Sequence, residues 1–443
     1  MKVLRILGGA FGYGFARNVR DLYTDLARVY RPGDSIYLFG FSRGAYTVRA
    51  LGGMIATCGI LDGDALSEAG LRDGVSEAYR VDRQRFRPER FHAEATRNAE
   101  AFRRSHPVHQ PGDPVRIAFI GVWDTVGAVG LPDDAVLKKA LWLLSGVRVP
   151  WFKHYLLGDI VDRACHALAI DDERQTFHPI LWDERRPDGT TDPRLDQVWF
   201  AGVHSNVGGG YPKHGMSLVT LDWMMNQAGA AGLRFSQLDA DSYHEHRNVH
   251  DMLYDSRTGL SFLYRYSPRD LTQISAKHGI DRPRVHVSVF DRIALRTEGY
   301  APGNVPPTSI VVGPESEASR LEKVRTTVQT TLAKGLPLDA VHTALRMRQA
   351  GYFLVLLPLL ALALLFFVRG VVSDGFAATV NALVSLGGLA GLAWELVRAH
   401  PIIGAFLPAC VAAGWIGNWR ARRSMQDRFA DVWRPGVKDL RVT

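Results

Sequence analysis

The chain has 443 residues, with 53 Lys and Arg against 45 Asp and Glu, a net charge of +8 and 47% hydrophobic residues. That is enough length for one large domain or two ordinary ones and enough apolar content for a substantial core. The basic residues are spread along the chain, which argues against a dedicated nucleic-acid arm, and Cys58, Cys165 and Cys410 have neither the number nor the spacing of a disulfide framework or a metal site. An odd set of cysteines fits a reducing compartment, and the apolar run at the N-terminus is too short for a secretory signal.

In chain order, residues 2–7 read as a short strand, followed by a glycine-rich loop from Gly8 to Gly14. That loop lacks both G-K-[ST] and G-x-G-x-x-G, so it is expected to border a site rather than cradle a phosphate. Val19, Leu22, Leu26 and Val29 recur at helical spacing and predict an amphipathic helix over 17–30. After the turn Pro32-Gly33-Asp34, the β-prone run 36–39 leads into Gly40-Phe41-Ser42-Arg43-Gly44, and a helix-compatible stretch follows over 45–54. Strand, G-x-S-x-G and helix together make a nucleophile elbow, in which a sharp turn lifts the Ser42 hydroxyl clear of the sheet. Gly40 and Gly44 are expected to let the neighbouring backbones approach, and the Arg43 amide, at the helix N-terminus, to donate to an oxyanion.

Residues 62–111 are polar and rich in Arg and Glu, and read as helices that cap or flank the site. The near-continuous apolar run 115–122 has the character of a strand buried on both faces, and its end delivers Asp124. A lid or core helix is expected over 137–157, a helix over 163–174, a strand over 197–202 that ends at His204, and a helix over 218–231. The loop-rich remainder of a catalytic unit spanning 1–314 is followed by a basic helical connector over 315–349.

Residues 350–368 are nineteen without a charge, a helix of about 28 Å, which matches a bilayer. Residues 401–419 are again uncharged and end in Trp415 and Trp419, while 376–397 is a weaker third segment with Gly387 and Gly391 in a G-x-x-x-G pattern. Basic flanks on both outer sides, with a basic tail over 420–443, predict an anchor of transmembrane helices whose ends face the cytoplasm of a bacterial inner membrane.

A serine nucleophile needs a base within reach and an acid to orient that base. Ser42, Asp124 and His204 occur in the order of an α/β-hydrolase, and each follows an apolar strand. Asp171 and Asp172 compete for the acid role but are read as following a helix, and His166, His178 and His286 are alternative bases. His246 and His250 have helical spacing but lack the glutamate of H-E-x-x-H, so no metal and no cofactor is expected. The implied chemistry is acyl transfer from an ester through Ser42, with His204 as base and Asp124 as its orienting acid.

Gly-Phe-Ser-Arg-Gly-Ala (40–45), Gly-Val-Trp-Asp-Thr-Val-Gly (121–127), Ala-Leu-Ala-Ile-Asp-Asp-Glu-Arg (167–174) and Trp-Phe-Ala-Gly-Val-His-Ser-Asn-Val-Gly-Gly-Gly-Tyr (199–211) resemble the α/β-hydrolase domain family DUF2235, which includes type VI secretion phospholipase effectors. The resemblance runs from about Gly8 to Pro306. It implies a mainly parallel sheet with flanking helices, Ser42, Asp124 and His204 as a triad, and membrane lipids or another ester as substrate rather than nucleic acid. Family members usually begin with an extra strand and an Asp-Gly-Thr loop that supplies part of the oxyanion hole. The resemblance leaves that part to sequence upstream, to the loop at 8–14, or to an impaired protein that acts as an interaction module. Asn206 stands where the family commonly has Asp, a change expected to alter a local hydrogen bond. The apolar C-terminal segments lie outside the effector pattern and imply a resident membrane enzyme.

Overall fold

The apolar runs spaced along the chain come together as one sheet. A computed structural model describes residues 14–111, 115–127, 156–258, 264–333, 346–354 and 401–442, with the single positions 261, 343 and 398. Its strands are β1 (Ile36–Phe41), β2 (Ile60–Leu61), β3 (Val108–His109), β4 (Ile117–Trp123), β5 (Ala164–Ala169), β6 (Leu195–Phe200), β7 (Arg284–His286) and β8 (Ile310–Val312). Six are parallel throughout, in the order β1-β4-β5-β6-β7-β8, and β2 and β3 form a separate antiparallel pair.

Parallel strands need crossovers, and the crossing helices cover both faces. The helices used below are α1 (Phe15–Val29), α2 (Arg43–Cys58), α3 (Glu68–Asp82), α4 (His92–Ser105), α5 (His204–Gly208), α6 (Gly215–Ala230), α7 (Gln237–His246), α8 (Leu271–Ala276), α9 (Val287–Ala294), α10 (Ala318–Leu332) and α11 (Pro401–Val442). One core cluster joins α1 to α4 to the sheet through Val19, Leu51, Met54, Leu71, Phe102 and Ile120. Phe119 and Phe200 meet Val219, Met224 and Ala228 of α6 in another. A further cluster fills the β7–β8 side with residues of α8, α9, α10 and α11.

Three expectations change in the fold. In α1 the buried stripe is Val19, Tyr23 and Ala27, while Leu22 and Val29 are exposed, because the Tyr23 hydroxyl reaches inward to donate to the Gly59 carbonyl at 2.7 Å. The segment read as a helix over 163–174 is instead strand β5, buried at all six residues between β4 and β6. Alanine favours helix in isolation, but small side chains suit a central strand covered on both faces, and that burial overrides propensity. The helices at 62–111 lie by the far end of α2 from Ser42: Cys58 Sγ contacts the Ala78 carbonyl at 3.4 Å, and Thr57 Oγ1 donates to Asp82 at 3.0 Å.

The transmembrane helices and the inner-membrane anchor are also corrected. Among the described residues no helix is long and apolar enough to cross a membrane. Residues 401–419, read as a span, are the first half of the 42-residue helix α11. That helix buries Cys410, Ala421, Met425, Trp433, Val437 and Leu440, and its second half packs on α9 and α10. Counting uncharged residues measures length but says nothing about which stripe of a helix is already occupied. The strand and loop read over 2–13, the lid or helix over 137–155, and the span residues 355–368 and 376–397 lie outside the described residues.

Candidate active site

Strand β1 ends at Phe41 and α2 begins at Arg43, so Ser42 alone makes the turn, with φ 60° and ψ −124°. A non-glycine residue at positive φ stores ~1–3 kcal/mol of strain and persists only where its surroundings hold it. Here the Ser42 amide donates to the Trp123 carbonyl at 3.0 Å, and a Cβ on Gly40 would stand 2.7 Å from the Ala45 backbone. Gly40 therefore has the close-approach role expected of it. Gly44 does not, since a Cβ there would meet nothing within 4 Å.

Asp124 follows β4 and is also held at positive φ (40°), fully buried. His204 opens α5 just beyond β6 and is 4% exposed, its ring flanked by Phe41 at 4.6 Å and Phe177 at 4.9 Å. His204 Nδ1 lies 2.6 Å from Asp124 Oδ2, and Nε2 lies 2.7 Å from Ser42 Oγ. The carboxylate holds the proton on Nδ1, which leaves Nε2 to accept from the serine hydroxyl. Arg43, the remaining residue expected at the site, is the first of α2 and exposed, with its amide in the first turn. The three side chains expected to act together thus form one hydrogen-bonded line at the carboxyl ends of β1, β4 and β6.

Sequence reasoning missed Arg269. It is 1% exposed and grips Asp124 with both arms, Nη1 to Oδ1 at 2.6 Å and Nη2 to Oδ2 at 2.8 Å. Burial pushes the Asp124 carboxyl up, but the Arg269 guanidinium and the His204 hydrogen bond outweigh it and hold the group well below the ordinary carboxylate range. Nothing local marks this arginine, which follows Pro268 in a loop-rich stretch.

The competing candidates occupy the surroundings. Asp172 accepts the His204 amide at 3.2 Å and is gripped by Arg174, with Nη2 to Oδ2 at 2.7 Å, so it supports the His204 backbone rather than its imidazole. Asp171 accepts from the Gly202 amide at 2.6 Å and the Tyr300 hydroxyl at 2.9 Å, and burial pushes its carboxyl up to about 6 against those bonds. His166 accepts from the Thr125 amide at 3.1 Å, and burial brings it down to about 3. His178 contacts the Ser267 carbonyl at 2.8 Å, and His286 contacts Ser288 Oγ at 2.8 Å. His246 contacts the Ser242 carbonyl at 2.7 Å and His250 contacts Thr297 Oγ1 at 2.7 Å. Asn206 accepts from the amides of Val203 and Tyr254 at 3.4 and 3.3 Å and donates to the Met252 carbonyl at 3.0 Å. An ionised aspartate could not make that last bond.

Residues from the C-terminal part of the chain reach the rim of this site. Arg348 forks onto Glu173 at 2.8 Å through both arms and donates to the Tyr266 hydroxyl at 2.8 Å, while Arg422 of α11 pairs with Asp255.

A segment of 177 residues in this chain is 27% identical to an uncharacterized protein of Saccharomyces cerevisiae; the match covers 40% of this chain and 23% of the yeast protein, so it spans about a quarter of that relative's length. A crystal structure of an uncharacterized protein from Pseudomonas aeruginosa aligns over 71% of this chain and 40% of its own, at 17% identity and a TM-score of 0.27. Residues 1–227, about half of the chain and the part that includes β1 to β6 and the Ser42, Asp124 and His204 cluster, match the catalytic domain of Tle1-like phospholipase effectors of the type VI secretion system. The chain belongs to the family of type VI secretion phospholipase effector, Tle1-like, catalytic domains.

Proposed function

We propose that this protein is a serine hydrolase that cleaves carboxylic esters, with the acyl esters of lipids, phospholipids among them, as its substrate class. The observation that carries this reading is the unbroken line from Ser42 Oγ through His204 to Asp124, with separations of 2.7 and 2.6 Å. Membership of a phospholipase effector family supports the lipid substrate. The catalytic unit is assigned to residues 1–314.

In the reaction His204 Nε2 takes the Ser42 proton as the oxygen attacks the ester carbonyl. The Arg43 amide, in the first turn of α2, donates to the oxyanion that forms, where the positive end of the helix favours negative charge. His204 then passes its proton to the departing alcohol, and water, activated by the same imidazole, releases the acyl group from Ser42. Asp124 keeps the imidazole in the one tautomer that can do this, and Phe41 and Phe177 limit its rotation.

Labelling with a fluorophosphonate probe tests the reading directly. The wild-type protein is expected to label, Ser42→Ala to show none, and Asp124→Asn to label ~10³–10⁴-fold more slowly. Equal labelling of wild type and Ser42→Ala, or none of either, would leave a hydrolase-like interaction module as the reading. Fatty-acid release from phospholipid vesicles faster than turnover of a short-chain ester would place the substrate among lipids. The reverse ratio would place it among soluble esters.

A further inference from the structure

The acid in a Ser-His-Asp arrangement has two tasks, to fix the imidazole tautomer and to stabilise the imidazolium that forms. In this protein that carboxylate is shared with a full positive charge. Asp124 Oδ1 accepts from the Ala169 amide at 3.0 Å and from Arg269 at 2.6 Å, and Oδ2 accepts from His204 at 2.6 Å and from Arg269 at 2.8 Å. The same two guanidinium nitrogens also donate to the carbonyls of Ala169 and Phe177, which pins the fork in place. A lysine could not reproduce this geometry, because it offers a point charge in place of a planar fork.

We infer that Arg269 is a positioning residue that sets the proton balance of the Asp124–His204 dyad. Its fixed charge opposes proton uptake by the imidazole, so that His204 remains an acceptor for the Ser42 hydroxyl at lower pH than the carboxylate alone would allow. This rests on the serine hydrolase reading above. Electrostatically, an unmatched buried carboxylate draws a proton onto its histidine partner, and a cation on the far side of that carboxylate cancels most of the pull.

The other ionisable groups around the imidazole have partners of their own. Asp172, below the His204 amide, pairs with Arg174, whose guanidinium lies 3.4 Å over the Phe177 ring. Glu173 pairs with Arg348, and Asp171 is bonded to the Gly202 amide and Tyr300. His166, below Thr125, and His178, across from Arg269, are both held toward the neutral form by burial. Among the described residues, Arg269 is the cation bonded directly to the carboxylate that faces His204.

The test is the pH profile of fluorophosphonate labelling for wild type, Arg269→Met and Arg269→Lys, with Ser42→Ala as the blank and a thermal melt to establish folding. The acid limb of Arg269→Met is expected to move up by about one pH unit or more, so its labelling one unit below the wild-type limb falls about tenfold further than its plateau does. Arg269→Lys, which keeps the charge but not the fork, is expected to label more slowly with the limb near its wild-type position. A rate that falls by one factor at every pH in Arg269→Met, or a limb displaced as far in Arg269→Lys, would overturn the inference. If Arg269→Met does not fold, Arg269→Gln, which removes the charge but keeps a planar donor, takes its place: a limb displaced upward supports the inference, and an unmoved limb overturns it. Loss of Ser42-dependent labelling in the wild type itself would remove the hydrolase reading, an outcome distinct from labelling whose limb does not move.

Discussion

Ser42 and Asp124, both at positive φ, flank the same junction between β1 and β4, and the Ser42 amide bonds across it to the Trp123 carbonyl. The strain in these two residues is held by contacts that can be removed one at a time. Gly40→Ala places a methyl 2.7 Å from the Ala45 and Gly44 backbones, which cannot yield as a side chain would. It is expected to cost ~2–4 kcal/mol of unfolding free energy and to abolish probe labelling. Gly44→Ala enters open space inside the first turn of a helix and is expected to gain up to ~1 kcal/mol. Urea titration of the two variants separates them; equal effects would mean that the elbow is not built as described. The pentapeptide makes the two glycines look equivalent, and only their surroundings distinguish them.

Among the elements, β5 changes the account of the site most. Read as a helix, it leaves Asp171 and Asp172 remote from Ser42, Asp124 and His204; as the strand between β4 and β6, it brings both to the candidate site's edge. Asp171 ties the end of β5 to Gly202 after β6 and to Tyr300. Burial raises its carboxyl to about 6, above its value in an unfolded chain, so its stabilising contribution is complete below about pH 4 and is lost as pH rises through 6. Asp171→Asn cannot ionise but can still accept from Gly202 and Tyr300. It is expected to match the wild type at pH 4 and to exceed it by ~3 kcal/mol at pH 8. Urea midpoints at the two pH values check this, and a difference that does not vary with pH would contradict the raised carboxyl.

At the scale of the molecule, the end of α11 is part of the core on the β7–β8 side of the sheet. Trp433 of α11 is 1% exposed, packs on Phe290 and donates from Nε1 to the Pro302 carbonyl at 2.9 Å. The length of α11, about 63 Å for its 42 residues, carries this contact far from the apolar stretch that precedes it. Trp433→Ala is expected to lower the unfolding free energy by ~3–5 kcal/mol. A melting temperature unchanged from wild type would show that the helix does not dock there. Arg348 and Arg422 extend the same attachment to Glu173 and Asp255.

Properties carried by neighbouring residues were legible before any coordinates. Apolar runs marked β1, β4 and β6, the G-x-S-x-G turn marked the strand-to-helix elbow at Ser42, and the order Ser42, Asp124, His204 at three strand ends marked the candidate site. The identity of β5, the stripe of α11 that is buried, and the arrival of Arg269 at a carboxylate 145 residues earlier in the chain were not legible. Each depends on a partner distant along the chain, and local periodicity has no access to such a partner: burial between two strands overrides the helix preference of alanine, and an arginine's environment is set where the chain folds back upon it.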